Sequence, residues 1–210
     1  WPQGPGNGDG PFTTVMQWDN SIQDVPRRSE GRRYGRKAES FEPYVDLPGR
    51  SKATFQIGLG GADAPRERLE SLGWVLCDPL ELTRDPSTYR EFIAASLAEF
   101  SVAKEGYVTT RSGWFSERSA AYLASGRPVV VQDTGFTDWL GADGGVLAFK
   151  DPDEACAAVE VVTAQYEFHC REARRVAARY FDSGLVLPSL LKRAMSSEPP
   201  VAMDNNATTE

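Results

Sequence analysis

Short apolar runs recur along this chain from about residue 54, and stretches with helical spacing separate them. TFQIGLG (54–60), WVLC (74–77), FSVA (100–103), PVVVQ (128–132) and VLAF (146–149) are too brief for helices and too continuous for strands with one wet face. Each predicts a parallel strand covered on both sides. Pro65 stands where a first helical residue belongs, opening PRERLESL, and Gly73 ends it. Asp85 and Pro86 supply the cap and first residue of a helix whose apolar positions Tyr89, Phe92, Ile93, Leu97 and Phe100 recur at spacings of three and four. Asp151, Pro152 and Glu154 repeat that start with a capping-box arrangement. Residues 166–180 and 185–195 read as one or two closing helices. Five strands alternating with helices imply right-handed crossovers. The predicted fold is α/β, a Rossmann-like parallel five-stranded sheet flanked by helices.

The ends lack this rhythm. WPQGPGNGDG is a Gly/Pro segment with little to bury, and the chain starts at Trp1, so the opening reads as a linker cut from something longer. FTTVMQW, the basic stretch RRSEGRRYGRK and a short helical pattern ending at Asp46 fill the region up to residue 50. The expected organisation is an extension over 1–50, one domain over 51–195 and a disordered polar tail over 196–210. The basic stretch reads as a solvated loop, with a contact to a phosphate or an acidic partner as the alternative.

Composition narrows the function. With 40% hydrophobic and 25% charged residues the chain is an ordinary globular protein, and no window approaches the apolar length of a membrane span. A cytoplasmic protein is expected, since the N-terminus has no signal-peptide order. Its three cysteines, Cys77, Cys156 and Cys170, write neither a disulfide framework nor, with one histidine, a zinc site. A net charge of −7 opposes binding of a long nucleic acid, so a small ligand is expected.

The candidate chemistry gathers between residues 99 and 136. Residues 109–118, a Ser/Gly-rich loop opening a helix, would point backbone N–H groups and the positive helix end at one spot, as a phosphate requires. Arg111 and Arg118 would add charge-assisted hydrogen bonds, and Lys104, ending the third strand, would add a charge on the same edge. Trp114 and Phe115 would wall a base pocket. The alternatives are a capping role for Ser112 or Ser116, solvated arginines, and aromatics that close the core. QDTGF (132–136) leaves the carboxyl end of a strand, where ligands of open α/β sheets collect. There Asp133 and Thr134 would meet sugar hydroxyls, or form an Asx turn before Gly135. Two imitations compete. Gly58-Leu59-Gly60-Gly61-Ala62-Asp63 with Asp78 partly copies a dinucleotide fingerprint, which Asp63 spoils at the third-glycine position. Asp151-Pro152-Asp153 copies a metal-binding DxD but sits at a helix cap.

The succession of strand, loop, SGWFSERSAAYLASGRPVVVQDTGF, turn, strand and long closing helices resembles the C-terminal, donor-binding half of a bacterial GT-B-type glycosyltransferase. The resemblance spans about 54–195, and FTTVMQW and YGRKAESFEPYVDLPGRS are similar to the segment that precedes that half. In it, Gly126 ends a helix and Pro128 begins a strand. The resemblance implies a nucleoside-diphosphate sugar as donor substrate, no permanently bound cofactor or metal, and an N-terminal domain of the same polypeptide that carries the acceptor site and any base. It places the donor near Lys104, Arg111, Ser112, Gly113, Trp114, Glu117, Arg118, Asp133, Thr134 and Gly135. The two glutamates of many retaining members fall at Ala121 and Gly113 here, so their contacts do not transfer. Glu117, one turn before Ala121, would substitute for the ribose contact or simply favour the helix dipole. No catalytic residue is assigned. The rival readings are an NAD-dependent oxidoreductase domain and a non-catalytic interaction module that keeps the fold.

Overall fold

A computed structural model describes residues 8–18, 35–142 and 144–196. Most of the basic stretch and all of the tail beyond residue 196 lie outside the described residues. The elements in chain order are β1 (Phe12–Gln17), α1 (Lys37–Phe41), α2 (Leu47–Arg50), β2 (Phe55–Gly60), α3 (Arg66–Ser71), β3 (Trp74–Cys77), α4 (Pro79–Leu82) and α5 (Pro86–Ala95). After these come β4 (Ala98–Ser101), α6 (Glu105–Thr109), α7 (Glu117–Ala124), β5 (Val129–Gln132), α8 (Thr137–Leu140), β6 (Val146–Phe149), α9 (Pro152–Ala164), α10 (Tyr166–Tyr180) and α11 (Ser183–Met195).

All strand pairs are parallel, in the order β3-β2-β1-β4-β5-β6. The sheet has six strands rather than the expected five. The sixth is β1, which comes from the segment read as an extension and runs through the middle of the sheet, pairing Phe12 with Phe55 on one side and with Ala98 on the other. FTTVMQ is half polar and so lacks the apolar continuity of the other runs. Its threonines are nonetheless buried, because Thr13 finds partners inside: its Oγ1 donates to Ser96 Oγ at 2.6 Å and lies 2.6 Å from the Tyr122 hydroxyl. A satisfied hydroxyl can be buried at little cost.

The sheet faces two cores, to the second of which only β5 and β6 contribute strand residues. On one face Phe12, Phe55, Ile57, Trp74, Phe100, Val130 and Phe149 pack against α1, α2, α3 and α9. On the other, Val129, Val131 and Val146 meet Ile93, Tyr122, Leu123 and Ala173 from α5, α7 and α10. The predicted caps form: Asp85 Oδ1 accepts from Ser87 N and Thr88 N, each at 2.9 Å, and Asp151 Oδ1 accepts from Glu154 N at 2.9 Å. Helix α5 stops at Ala95, so Leu97 and Phe100 belong to the approach and body of β4 rather than to the helix. Gly126 ends α7 in the left-handed conformation (φ +73°), as the Gly-x-Pro junction predicts. Helix α11 differs from the rest: every residue in it is exposed, including Leu185, Leu187, Leu190 and Leu191.

Candidate functional site

In a sheet of this order the crossovers change direction between β1 and β4, and the crevice outside the carboxyl ends of those strands is where ligands bind. Three cationic side chains converge there. Arg118, from the first turn of α7, turns inward. Its Nε donates to Glu99 Oε1 at 2.6 Å, Nη1 to the Val15 carbonyl at 2.6 Å, and Nη2 to Ser101 Oγ at 2.7 Å. Glu99 has no exposed surface, and its Oε2 has no hydrogen-bond partner. Lys37, the first residue of α1, donates its ammonium to the Val102 carbonyl just past the end of β4. Burial, then the Arg118 and Lys104 charges, pull the Lys37 ammonium down to about 7, against the opposing pull of Glu99. Lys104 precedes α6 at its N-cap position. Three cations and the buried Glu99 carboxylate therefore lie near the carboxyl ends of β1 and β4.

The residues singled out in the sequence divide into two groups. Arg118 is half-buried and turned inward as the partner of the buried Glu99. Asp133 is buried and takes the turn role, its Oδ1 accepting from Gly135 N at 2.9 Å and Thr137 Oγ1 at 3.2 Å. Thr134 is likewise buried and donates to the Trp114 carbonyl at 2.6 Å. Several donors of the loop and helix start are used internally: Gly113 N on the Thr134 carbonyl (2.9 Å), Trp114 N on Ser112 Oγ (3.3 Å), and Arg118 N on the Ser116 cap (3.1 Å). A narrow cavity opens beside it at the ends of β4 and β5, lined by Ser101, Trp114, Phe115, Ser116, Gln132 and Thr134. Its enclosed room is about 10 Å³, that of one water. Arg111 stands on the rim, bound through one Nη2 to both carboxylate oxygens of Asp138 at 2.9 Å. Glu117 is exposed at the first position of α7. Gly135 (φ +88°) is required, since a Cβ there would lie 3.1 Å from the Arg111 carbonyl.

Sequence reasoning missed Lys37, Glu99 and Gln132. Lys37 lies in a run of cations for which a solvated loop and a phosphate or acidic-partner contact were the two readings, and it was not singled out within that run. Glu99 had a signal: a carboxylate next to a buried apolar run must have an internal partner. Gln132 ties β5 down, its Oε1 accepting from Ala103 N at 3.0 Å and its Nε2 donating to the Tyr44 hydroxyl at 3.2 Å. The dinucleotide-like glycine loop follows β2, one strand away from the switch point. Arg66 Nη2 donates to its Leu59 carbonyl at 2.8 Å, so the loop aims oxygens at a cation rather than N–H groups at a phosphate. Among the described residues no cluster of three or more His, Cys, Asp or Glu is arranged to hold a metal, and no helix is long and apolar enough to cross a membrane.

An all-parallel sheet in this order, covered by helices on both faces and with a cationic crevice at its switch point, defines the Rossmann-like class. No family model matches the chain, and no curated protein matches it in sequence. Among solved structures it is similar to TarM (TM-score 0.61, 14% identity, 93% of this chain and 37% of that one). It is also similar to sucrose-phosphate synthase from Thermosynechococcus elongatus (TM-score 0.55, 14% identity, 91% of this chain and 47% of that one). Both are GT-B glycosyltransferases, and this chain has the fold of a GT-B domain. It spans less than half the length of either neighbour.

Proposed function

We propose that this chain is the donor-binding, C-terminal half of a bacterial, cytoplasmic glycosyltransferase and that it holds a nucleoside-diphosphate sugar across the crevice between β1 and β4. The observation that carries the reading is Lys37, an ammonium depressed to about 7 by burial and two neighbouring cations at the carboxyl end of β4. An anion placed there relieves the repulsion that lowers it, and the diphosphate supplies that charge. In glycosyl transfer the bond from the anomeric carbon to the diphosphate oxygen breaks as a bond to the acceptor oxygen forms. Negative charge gathers on the departing diphosphate, and fixed cations favour that charge more in the transition state than in the bound donor. Lys37, rather than Arg111 or Arg118, faces the diphosphate in this arrangement. The donor is a substrate and not a resident cofactor. An N-terminal domain of the same polypeptide holds the acceptor, whose hydroxyl reacts, and supplies any base, so the isolated chain binds and scarcely turns over.

Calorimetry with UDP, GDP and dTDP against NAD tests this. One nucleoside diphosphate is expected to bind saturably, and Lys37→Met to weaken it by about 1.5–3 kcal/mol, the range of a hydrogen bond to a charged group. Because the ammonium attracts the diphosphate and the neutral amine does not, affinity is expected to fall as pH rises above about 7. Saturable NAD binding with no response to any nucleoside diphosphate would establish the oxidoreductase instead. Silence toward all four ligands would leave an interaction module.

A further inference from the structure

Two tryptophans stand in water beside the candidate site. Trp114 is 38% exposed and Trp139 46% exposed, whereas Trp18 and Trp74 are buried. Each exposed indole leaves on the order of 100 Å² of aromatic surface uncovered. Gly113 joins them: Trp114 is its neighbour in the chain, and Trp139 Nε1 donates to the Gly113 carbonyl at 3.0 Å. The rings are held in place. Tyr107 covers one face of Trp114 at 4.8 Å between centroids, and Phe115 and Tyr180 meet Trp139 edge-on. Arg111 and Asp138 form the adjoining polar edge, with side chains 55% and 69% exposed. Arg111 is also the only non-glycine residue with a left-handed φ (45°) among the described residues. A strained residue locked by its surroundings in an exposed corner marks a place held ready for something.

We propose that this rim, Trp139 with Trp114, Arg111 and Asp138, is a subsite for a neutral sugar ring, and that the acceptor of the reaction is itself a glycan. One unit of that glycan would rest here, away from the reacting end. A pyranose has one face of C–H groups, which an exposed indole covers, and an edge of vicinal hydroxyls. The Arg111–Asp138 pair offers that edge N–H donors and a carboxylate acceptor in one plane. Charge favours a neutral ligand, since the guanidinium is already matched by Asp138 and the protein carries a net −7. The role assigned to the subsite rests on the glycosyltransferase reading; its existence does not.

The test follows the indole N–H resonance of Trp139 in the ¹⁵N-labelled full chain during titration with methyl glycosides, maltose, cellobiose and chitobiose, and separately with UDP. At least one saccharide is expected to move that resonance saturably with a Kd of about 1–10 mM. Asp138→Asn, which keeps the shape of the side chain, is expected to weaken saccharide binding about tenfold by removing a charged acceptor. Trp139→Ala should abolish it, with UDP affinity unchanged within about twofold. If Trp139→Ala does not fold, Asp138→Asn and the wild-type titration decide. A Trp139 resonance unmoved by every saccharide at saturating concentration overturns the proposal, and so does one moved by UDP alone. A saccharide response without UDP binding would keep the subsite and remove the donor reading; the converse would do the opposite.

Discussion

Replacing Arg118 by methionine separates a structural arginine from a ligand-binding one. In the native protein this guanidinium donates to Glu99, the Val15 carbonyl and Ser101 at 2.6–2.7 Å, and its side chain is 21% exposed against 0% for Glu99. The substitution strips a wholly buried carboxylate of its cation and leaves two further acceptors without this donor. Removing one partner of a buried pair costs about 3–5 kcal/mol, chiefly because the survivor stays charged and uncompensated. At about 2–4 °C per kcal/mol for a chain of this size, the melting temperature should fall by roughly 6–20 °C. Urea denaturation followed by circular dichroism measures the same loss at fixed temperature. Combining Arg118→Met with Glu99→Gln removes both charges, and the double variant should regain most of the stability, with an interaction energy of about 1–3 kcal/mol in the cycle. A loss under about 1 kcal/mol in the single variant would refute the reasoning. It would mean that Arg118 is solvated and free to meet a ligand.

Gly135→Ala should destabilise by about 1–3 kcal/mol, because φ is +88° and the new Cβ would press on the Arg111 carbonyl; equilibrium denaturation reads this. His169 is buried, accepts from Gly145 N at 3.3 Å through Nδ1, and is held below its usual value by desolvation, against the smaller opposing pull of Glu172. Its neutral form is the folded form, so stability should be constant above about pH 6.5 and decline as pH drops toward the depressed native value. His169→Gln should flatten that slope, and an unchanged slope would assign it to other groups. Ending the chain after Asp182 removes α11, in which no residue is buried, and should change stability by less than about 0.5 kcal/mol.

Local chemistry alone determined a good part of this protein. Asp85-Pro86 and Asp151-Pro152 start helices, Gly126 stops one, and PVVV and VLAF are strands, because caps, ring constraints and two-sided burial act within a few residues. From these, an α/β fold with a parallel sheet was legible before any coordinates. What the sequence could not rank was position in the sheet. Phe12–Gln17 was read as an extended apolar piece of an extension, and the partners that satisfy Thr13 inside the sheet, Ser96 and Tyr122, lie 83 and 109 residues away. Once that strand is central, the switch point moves to its edge, and the site moves with it. There Arg118, from a helix start, pairs with the buried Glu99, and Lys37, from the basic run, donates to the Val102 carbonyl. Charge is written in the sequence; which charges meet each other and which remain for a ligand is decided only when distant segments are packed side by side in a medium of low dielectric constant.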